Sequence, residues 1–205
     1  MALRLNGATS GYVEIDAPAT AGSNTLVLPN GNGTNGQYLQ TDGSGGLSWV
    51  TPPSSSYAIL AHVEPDGTDG GSSVADTWTT RTINTEVADP DSIVTLNSNQ
   101  FTLGAGSYLI EWSCVSFATS NATSRLYDVT NTADIQHSLV SPSSISYAGS
   151  ATHVGLARVS PTSSTAYEIQ MITNISNAVD GFGRANSATG SGDEVYLFVK
   201  IYKEA

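Results

Sequence analysis

The chain has 205 residues, enough for one domain of ordinary size plus an extension. Hydrophobic residues make up 39% and charged residues only 12%, so a core can form while Ser, Thr, Asn and Gly must cover the surface. Seven Lys and Arg against 18 Asp and Glu give a formal charge of -11, which excludes nucleic acid or an acidic bilayer as the natural partner.

Residues 1–50 alternate in segments of two to four residues, cut by Gly, Asn, Pro or Asp. Leu3 and Leu5, Val13 and Ile15, Leu26 and Leu28, Tyr38, and Leu47 and Trp49 fall on one face of strands too short to enclose a core. A lone copy is not expected to fold this segment, so its burial should come from other copies of the chain. Thr51 to Ser56, TPPSSS, reads as a linker, because the two prolines remove ladder donors and the serines carry no apolar anchor.

Downstream, from residue 57 to 205, the apolar runs lengthen. Strands are predicted at Tyr57–Val63, Ser92–Leu96, Gln100–Leu103, Tyr108–Phe117, Arg125–Val129, Ser138–Val140, His153–Val159, Ala166–Ile172 and Glu194–Tyr202, with turns rich in Ser, Thr, Asn and Gly between them. No helical period emerges. The class is all-β: a short-strand segment that depends on oligomerisation, followed by an antiparallel jelly-roll β-sandwich. In the closing EVYLFVKIY, Val195, Leu197, Val199 and Ile201 share one face, while Tyr196, Phe198 and Tyr202 share the other with Lys200. A sandwich needs one apolar face per strand, so Tyr196, Phe198 and Tyr202 are expected at a subunit interface.

Chemistry-bearing patterns are sparse. His62, His137 and His153 lack metal-ligand spacing, Cys114 is alone, and neither a GxSxG elbow nor an SxxK pair occurs. The single cysteine precludes an intrachain disulfide and suits folding in a reducing cytoplasm. The start MALRLNGATSG does not read as a signal peptide, and no apolar run is long enough to insert in a membrane. Carboxylate pairs at Asp66/Asp69, Asp89/Asp91 and Asp193/Glu194 have the composition of a glycan-cleaving site, but all sit where acidic residues solvate turns. DGTDGG, from Asp66 to Gly71, lacks the closing Glu of a calcium loop. No cofactor, no metal and no enzymatic activity are expected.

If the first jelly-roll strand runs outward, loops 64–77 and 176–193 converge at one tip, where long polar loops on a rigid scaffold carry recognition. Asp66, Asp69, Phe182, Arg184 and Asn186 are the candidate binding residues there. An aromatic and a guanidinium between glycines suit a sugar or protein ligand. The competing reading tucks Phe182 under its own loop and pairs Arg184 with Asp180.

Arg81 and Asn84 before the second strand, the FTLGAGSY stretch with Phe101, Gly106 and Tyr108, Arg125 to Tyr127, and the closing EVYLFVKIYK together resemble the complement-component and tumour-necrosis-factor superfamily of trimeric jelly rolls, in the version found at the ends of bacteriophage fibres. Upstream, SGYVEIDAPATAGSNTLVLP and GQYLQTDGSGGLSWV resemble short motifs in virion structural proteins of phages infecting marine bacteria and cyanobacteria. The resemblance implies a homotrimer, folded in the host bacterial cytoplasm and carried on the virion surface. Residues 1–50, with Leu3, Leu5, Tyr12, Ile15, Leu26, Leu28 and Trp49, would then join it to other virion proteins of capsid or tail. The head would project toward a host cell-surface glycan or protein. A capsid decoration protein and a glycan depolymerase or esterase are the alternatives.

Overall fold

The structure, a computed structural model, describes residues 3–6, 8–16, 18–20, 22–52, 56–143, 149–186, 188, 190 and 192–204. Of the predicted linker, residues 53–55 lie outside that set. The chain divides into two compact units, Met1–Pro53 and Ser54–Ala205.

In the first unit, β1 (Leu3–Asn6) and β2 (Tyr12–Ile15) form one antiparallel hairpin, and β3 (Tyr38–Thr41) and β4 (Leu47–Val50) form another. Between them Val27 donates its N–H to Gly45 O at 2.8 Å and receives Leu47 N at 2.9 Å, so a single extended residue straps the second hairpin. The β3–β4 turn is closed by Asp42, whose Oδ1 accepts from Ser44 N and Gly46 N. Trp49 donates its indole N–H to Gly31 O at 2.7 Å, and its ring lies where a Cβ on Gly33 would be only 2.7 Å away. Residues 24–50 thus hold a defined local arrangement. The reason is backbone pairing by Val27 and Asp42 rather than a core, because no described residue up to 52 is buried.

The second unit holds β5 (Ser56–Glu64), β6 (Thr79–Thr80), β7 (Thr85–Ala88), β8 (Val94–Asn97), β9 (Gln100–Leu103), β10 (Tyr108–Phe117), β11 (Ser120–Asp128), β12 (Ala133–His137), β13 (Ser141–Ser143), β14 (Ser150–Val159), β15 (Thr165–Thr173) and β16 (Glu194–Lys203). One sheet has the order β14-β10-β16-β5-β7, and the other follows β12-β11-β15-β9-β8, with β13 on β11 and β6 on β15. All these pairs are antiparallel, as the period-2 patterns require, and among the described residues there is no helix. Leu60, Ile110, Trp112, Val199 and Ile201 of the first sheet meet Phe101, Leu103, Leu126, Ile169 and Met171 of the second in one dry core.

Two predicted strands shift for identifiable reasons. The stretch Ser92–Leu96 becomes Val94–Asn97, since the Asp89 carboxylate accepts from Ile93 N and Val94 N and closes the turn that precedes the strand. Ser138–Val140 is not a strand. Ser138 instead turns inward, its Oγ accepting from Ser124 N at 2.9 Å, and separates β12 from β13.

Candidate functional site

Loops 64–77 and 176–193 do meet. Gly70 N donates to Gly183 O, Phe182 N to Gly71 O, and Ser73 and Asn177 exchange both backbone bonds. Asp66 and Asp69 of the first loop join this stitching through side-chain bonds to the second. Asp69 Oδ1 accepts from Ala185 N at 2.8 Å, and Asp66 Oδ2 accepts from Gly190 N at 3.1 Å. Asn186 donates its backbone N–H to Glu194 Oε1 and receives Ala188 N on its own amide oxygen.

Phe182 is a correction. Only 6% exposed, it lies under its loop with the Arg81 guanidinium 4.2 Å from its ring centroid, so it presents no face to a ligand. Arg184 pairs with Asp180 at 3.5 Å and reaches over Phe117, yet its side chain stays largely exposed.

Arg81 explains the inward turn. Fully buried, it donates to Val115 O at 2.8 Å, Phe182 O at 2.9 Å and Tyr196 O at 3.4 Å, so one guanidinium ties β10, the tip loop and β16 together. Among the described residues no carboxylate meets it, and burial lowers it to about 10. Sequence reasoning took Arg81 only as part of a resemblance. A lone Arg between two Thr-rich runs carries no signal of burial.

Tyr196 is the second correction. The ladder between β16 and β5 shifts register between Val195 and Leu197, so the alternation breaks one residue into the strand. Val195 turns to solvent and Tyr196 turns inward, 4% exposed, donating its hydroxyl to Thr68 O at 2.7 Å. Its ring fills the space beside Gly183, where φ is +135° and a Cβ would come within 2.1 Å of the ring. Burial first, then Glu194, Asp69, Glu64 and Asp180, push its phenol up to about 12.

Phe198 and Tyr202 behave otherwise. At 41% and 40% exposure they stand on the outer face of the five-stranded sheet. The register assembles that face into rows: Tyr57, Tyr202, Leu109 and Arg158; Ile59, Lys200, Glu111 and Leu156; Ala61, Phe198, Ser113 and Val154. Lys200 and Glu111 pair at 3.7 Å across the middle row. Tyr57, Val154 and Leu156 were missed as face residues, although the alternation of YAILAHV and of THVGLARV carries them.

The inner face opposite bears a polar row, His62, Leu197, Cys114 and His153, in register on four strands. His62 Nε2 meets Glu64 Oε1, and His153 Nε2 meets Ser116 Oγ, both at 2.9 Å. Burial depresses both imidazoles and raises the Cys114 thiol.

In the first unit Leu3, Leu5, Tyr12, Ile15, Leu26 and Leu28 are all exposed, while Trp49 is half-buried against Gly33. The residues of the β1–β2 hairpin separate by face. Leu3, Leu5, Val13 and Ile15 share one face; Arg4, paired with Glu14 at 2.7 Å and stacked 4.0 Å over Tyr12, occupies the other.

No family model matches the chain, and no curated protein matches it. Solved structures do. Murine APRIL at pH 5.0 superposes with a TM-score of 0.50 at 8% identity, covering 74% of this chain and 100% of that one. The globular domain of zebrafish complement 1qA protein gives 0.46 at 11%, covering 73% and 96%. Eiger TNF from S. frugiperda gives 0.47 at 12%, covering 75% and 94%. At 8% identity the likeness to murine APRIL shows the fold alone, an all-β jelly roll.

Proposed function

We propose that the chain is a non-enzymatic homotrimeric surface protein of a phage virion, whose jelly-roll head projects for adhesion to the host surface and whose first unit joins it to the particle. The observation that carries self-association is the outer face of the five-stranded sheet. Tyr57, Tyr202, Leu109, Phe198, Val154 and Leu156 form a largely apolar surface, crossed by the Lys200–Glu111 pair and Ser113 and flanked by Arg158. A face of that composition on a single chain marks an interaction surface. The virion assignment is supported by the resemblance of residues 3–50 to phage structural motifs, and the net charge of -11 suits a particle surface that avoids nucleic acid.

The mechanism is multivalent. Three identical weak tip sites held rigidly gain avidity through effective concentration. Arg184, exposed at the tip, offers a guanidinium to a glycan or protein.

Mass in solution tests the assembly: the full chain should run at three times 21.2 kDa, and a stable 21.2 kDa monomer would overturn the reading. Electron microscopy of intact particles carrying labelled protein tests the location. Label at tail tips supports adhesion, label over the shell replaces it with decoration, and particles without label remove the virion role.

A further inference from the structure

The tip end of the second sheet holds a groove of about 200 Å³ that the loop stitching leaves open, between the start of β11, the end of β15, Asp76 and Val140. Its floor is aliphatic, from Ala122, Ile172 and Val140, and its rim carries three polar side chains, Asn121, Asn174 and Asp76. Ala122 lies opposite Thr173, and Asn174 N donates to Asn121 O at 2.8 Å, so the two amides stand on neighbouring strands. Asp76 donates its own N–H to Thr173 O at 2.9 Å and keeps φ at 55°, a left-handed value uncommon outside glycine. Among the described residues these two amides and this carboxylate have no hydrogen-bond partner. Asp66, Asp69 and Glu194 at the same end, by contrast, each accept from the backbone.

An ordered aromatic lies beside this floor. Trp78 precedes β6, where Thr79 pairs with Met171, so the next position along β15 is Ile172. The Arg125 guanidinium sits 4.1 Å from the centroid of the indole, and Gln170 Oε1 accepts from Arg125 Nε at 2.8 Å and holds it there. The ring is half-buried, which leaves part of it open to solvent.

We infer that this groove binds one neutral, N-acetylated hexose unit of a surface glycan. The inference rests on the adhesion reading, for which it names the ligand. Size limits the occupant: sites for drug-sized ligands enclose about 300–1,000 Å³, so a groove of about 200 Å³ suits a single ring. Charge excludes the acidic sugars, because Asp76 is the one charged group among the described lining residues and the whole chain carries a formal charge of -11. Floor and rim together select the acetamido group. Its methyl covers Ile172 and Val140, where a hydroxyl would lose its water without replacement. Its N–H and C=O match the carbonyl and NH2 of an Asn side chain, and the Asp76 carboxylate accepts from ring hydroxyls. The open part of the indole suits the apolar side of the same ring.

Nuclear magnetic resonance of the isotope-labelled full-length protein tests it, because Asn NH2 and Trp indole N–H signals are observed directly. N-acetylglucosamine at millimolar concentration should shift the side-chain signals of Asn121, Asn174 and Trp78 and leave those of Trp49 and Trp112 in place. Glucose should bind more weakly, and glucuronate should leave the signals unmoved. Asn121→Ala and Asn174→Ala, which alter exposed side chains without a described partner, identify the two amide signals. Each should weaken N-acetylglucosamine about tenfold, the loss of two hydrogen bonds. No shift with any of the three sugars, equal binding of glucose or glucuronate, or undiminished binding by both Asn variants overturns the groove and leaves adhesion through Arg184 standing. Label over the shell in microscopy of intact particles removes the adhesion reading instead, and with it the role of the groove even where the sugar binds.

Discussion

Gly155 is the position at which the packing of the head can be tested most severely. It lies on β14 directly opposite Trp112 of β10, and the indole covers it so closely that an added Cβ would sit 2.0 Å from Cζ2, 2.2 Å from Cε2 and 2.4 Å from Cη2. Carbon atoms in contact rest about 3.5–4.0 Å apart. Gly155→Ala therefore demands that the ring retreat by roughly 1.5 Å, yet Trp112 is fully buried and donates its N–H to the buried Ser124 Oγ at 2.9 Å. Overpacking of this kind costs about 1–3 kcal/mol. Drawing the indole away from Ser124 strands a buried donor and acceptor and adds about 1–3 kcal/mol. The sum is about 2–6 kcal/mol, a large share of the stability of an ordinary domain.

Urea unfolding followed by tryptophan fluorescence, at fixed protomer concentration, measures this loss. A double-mutant cycle makes it specific. Trp112→Phe is itself destabilising, since it opens space and removes the Ser124 bond, but in that background Gly155→Ala should lose most of its penalty. The coupling should be about 1.5 kcal/mol or more. Gly155→Ala within about 0.5 kcal/mol of the parent, or costs that simply add, would refute the packing argument.

Further outcomes follow from the polar groups. Arg81→Met strands the carbonyls of Val115 and Phe182 in the interior and should cost about 2–4 kcal/mol, while protease cutting within loop 176–193 increases; unchanged cutting removes the clamp assignment. Stability should also fall in mild acid. Burial outweighs the Glu64 hydrogen bond at His62 and, at His153, the backbone contact with Leu139, and Arg81 adds repulsion at both, so the folded pKa of each lies below the ordinary 6.5. The unfolded chain then holds more protons from 6.5 downward, and the histidine contribution, complete above 6.5, is lost as pH drops through the folded values. Urea midpoints between pH 7.5 and 5 should show the decline, and His62→Gln with His153→Gln should flatten it. Tyr196→Phe, which deletes the bond to Thr68 O, should cost about 1 kcal/mol and leave the mass in solution unchanged, whereas Phe198→Asp on the outer face should lower that mass. Reversal of those two effects would restore Tyr196 to the interface and remove Phe198 from it.

The head was legible wherever one rule acted alone. Tyr108–Phe117 alternates without interruption and forms β10 over that same span, and Gln100–Leu103 and Glu194–Tyr202 follow closely. The meeting of the two tip loops also followed from strand direction. What was not legible depends on single-residue irregularities. The bulge between Val195 and Leu197 exchanges the faces of two residues, so Tyr196 was assigned outward by a period that the backbone does not keep. Phe182 turns inward because Arg81, a hundred residues away in sequence, waits beneath it. No local pattern encodes a contact of that kind. In the first unit the absence of buried side chains among the described residues was readable from strand length, but the strap at Val27 was not, since it rests on backbone bonds to which side-chain patterning is blind.

The acidic excess has a use beyond repelling polyanions. A jelly roll without helices leaves many loop N–H groups unpaired by its ladders, and each needs an acceptor. The carboxylates supply them. Asp42 takes Ser44 and Gly46, Asp89 takes Ile93 and Val94, Asp128 takes Asn131, Asp69 takes Ala185, and Glu194 takes Asn186. Asp66, Asp69 and Glu194, read in the sequence as members of candidate pairs, each accept from a backbone N–H of the tip. Asp69, from the first loop, and Glu194, at the entry to β16, hold consecutive residues of the second loop, Ala185 and Asn186. A hydrolase needs two carboxylates free to face a scissile bond from opposite sides. Here Asp69 and Glu194 accept from the backbone N–H groups of Ala185 and Asn186, which holds the loop beside Arg184.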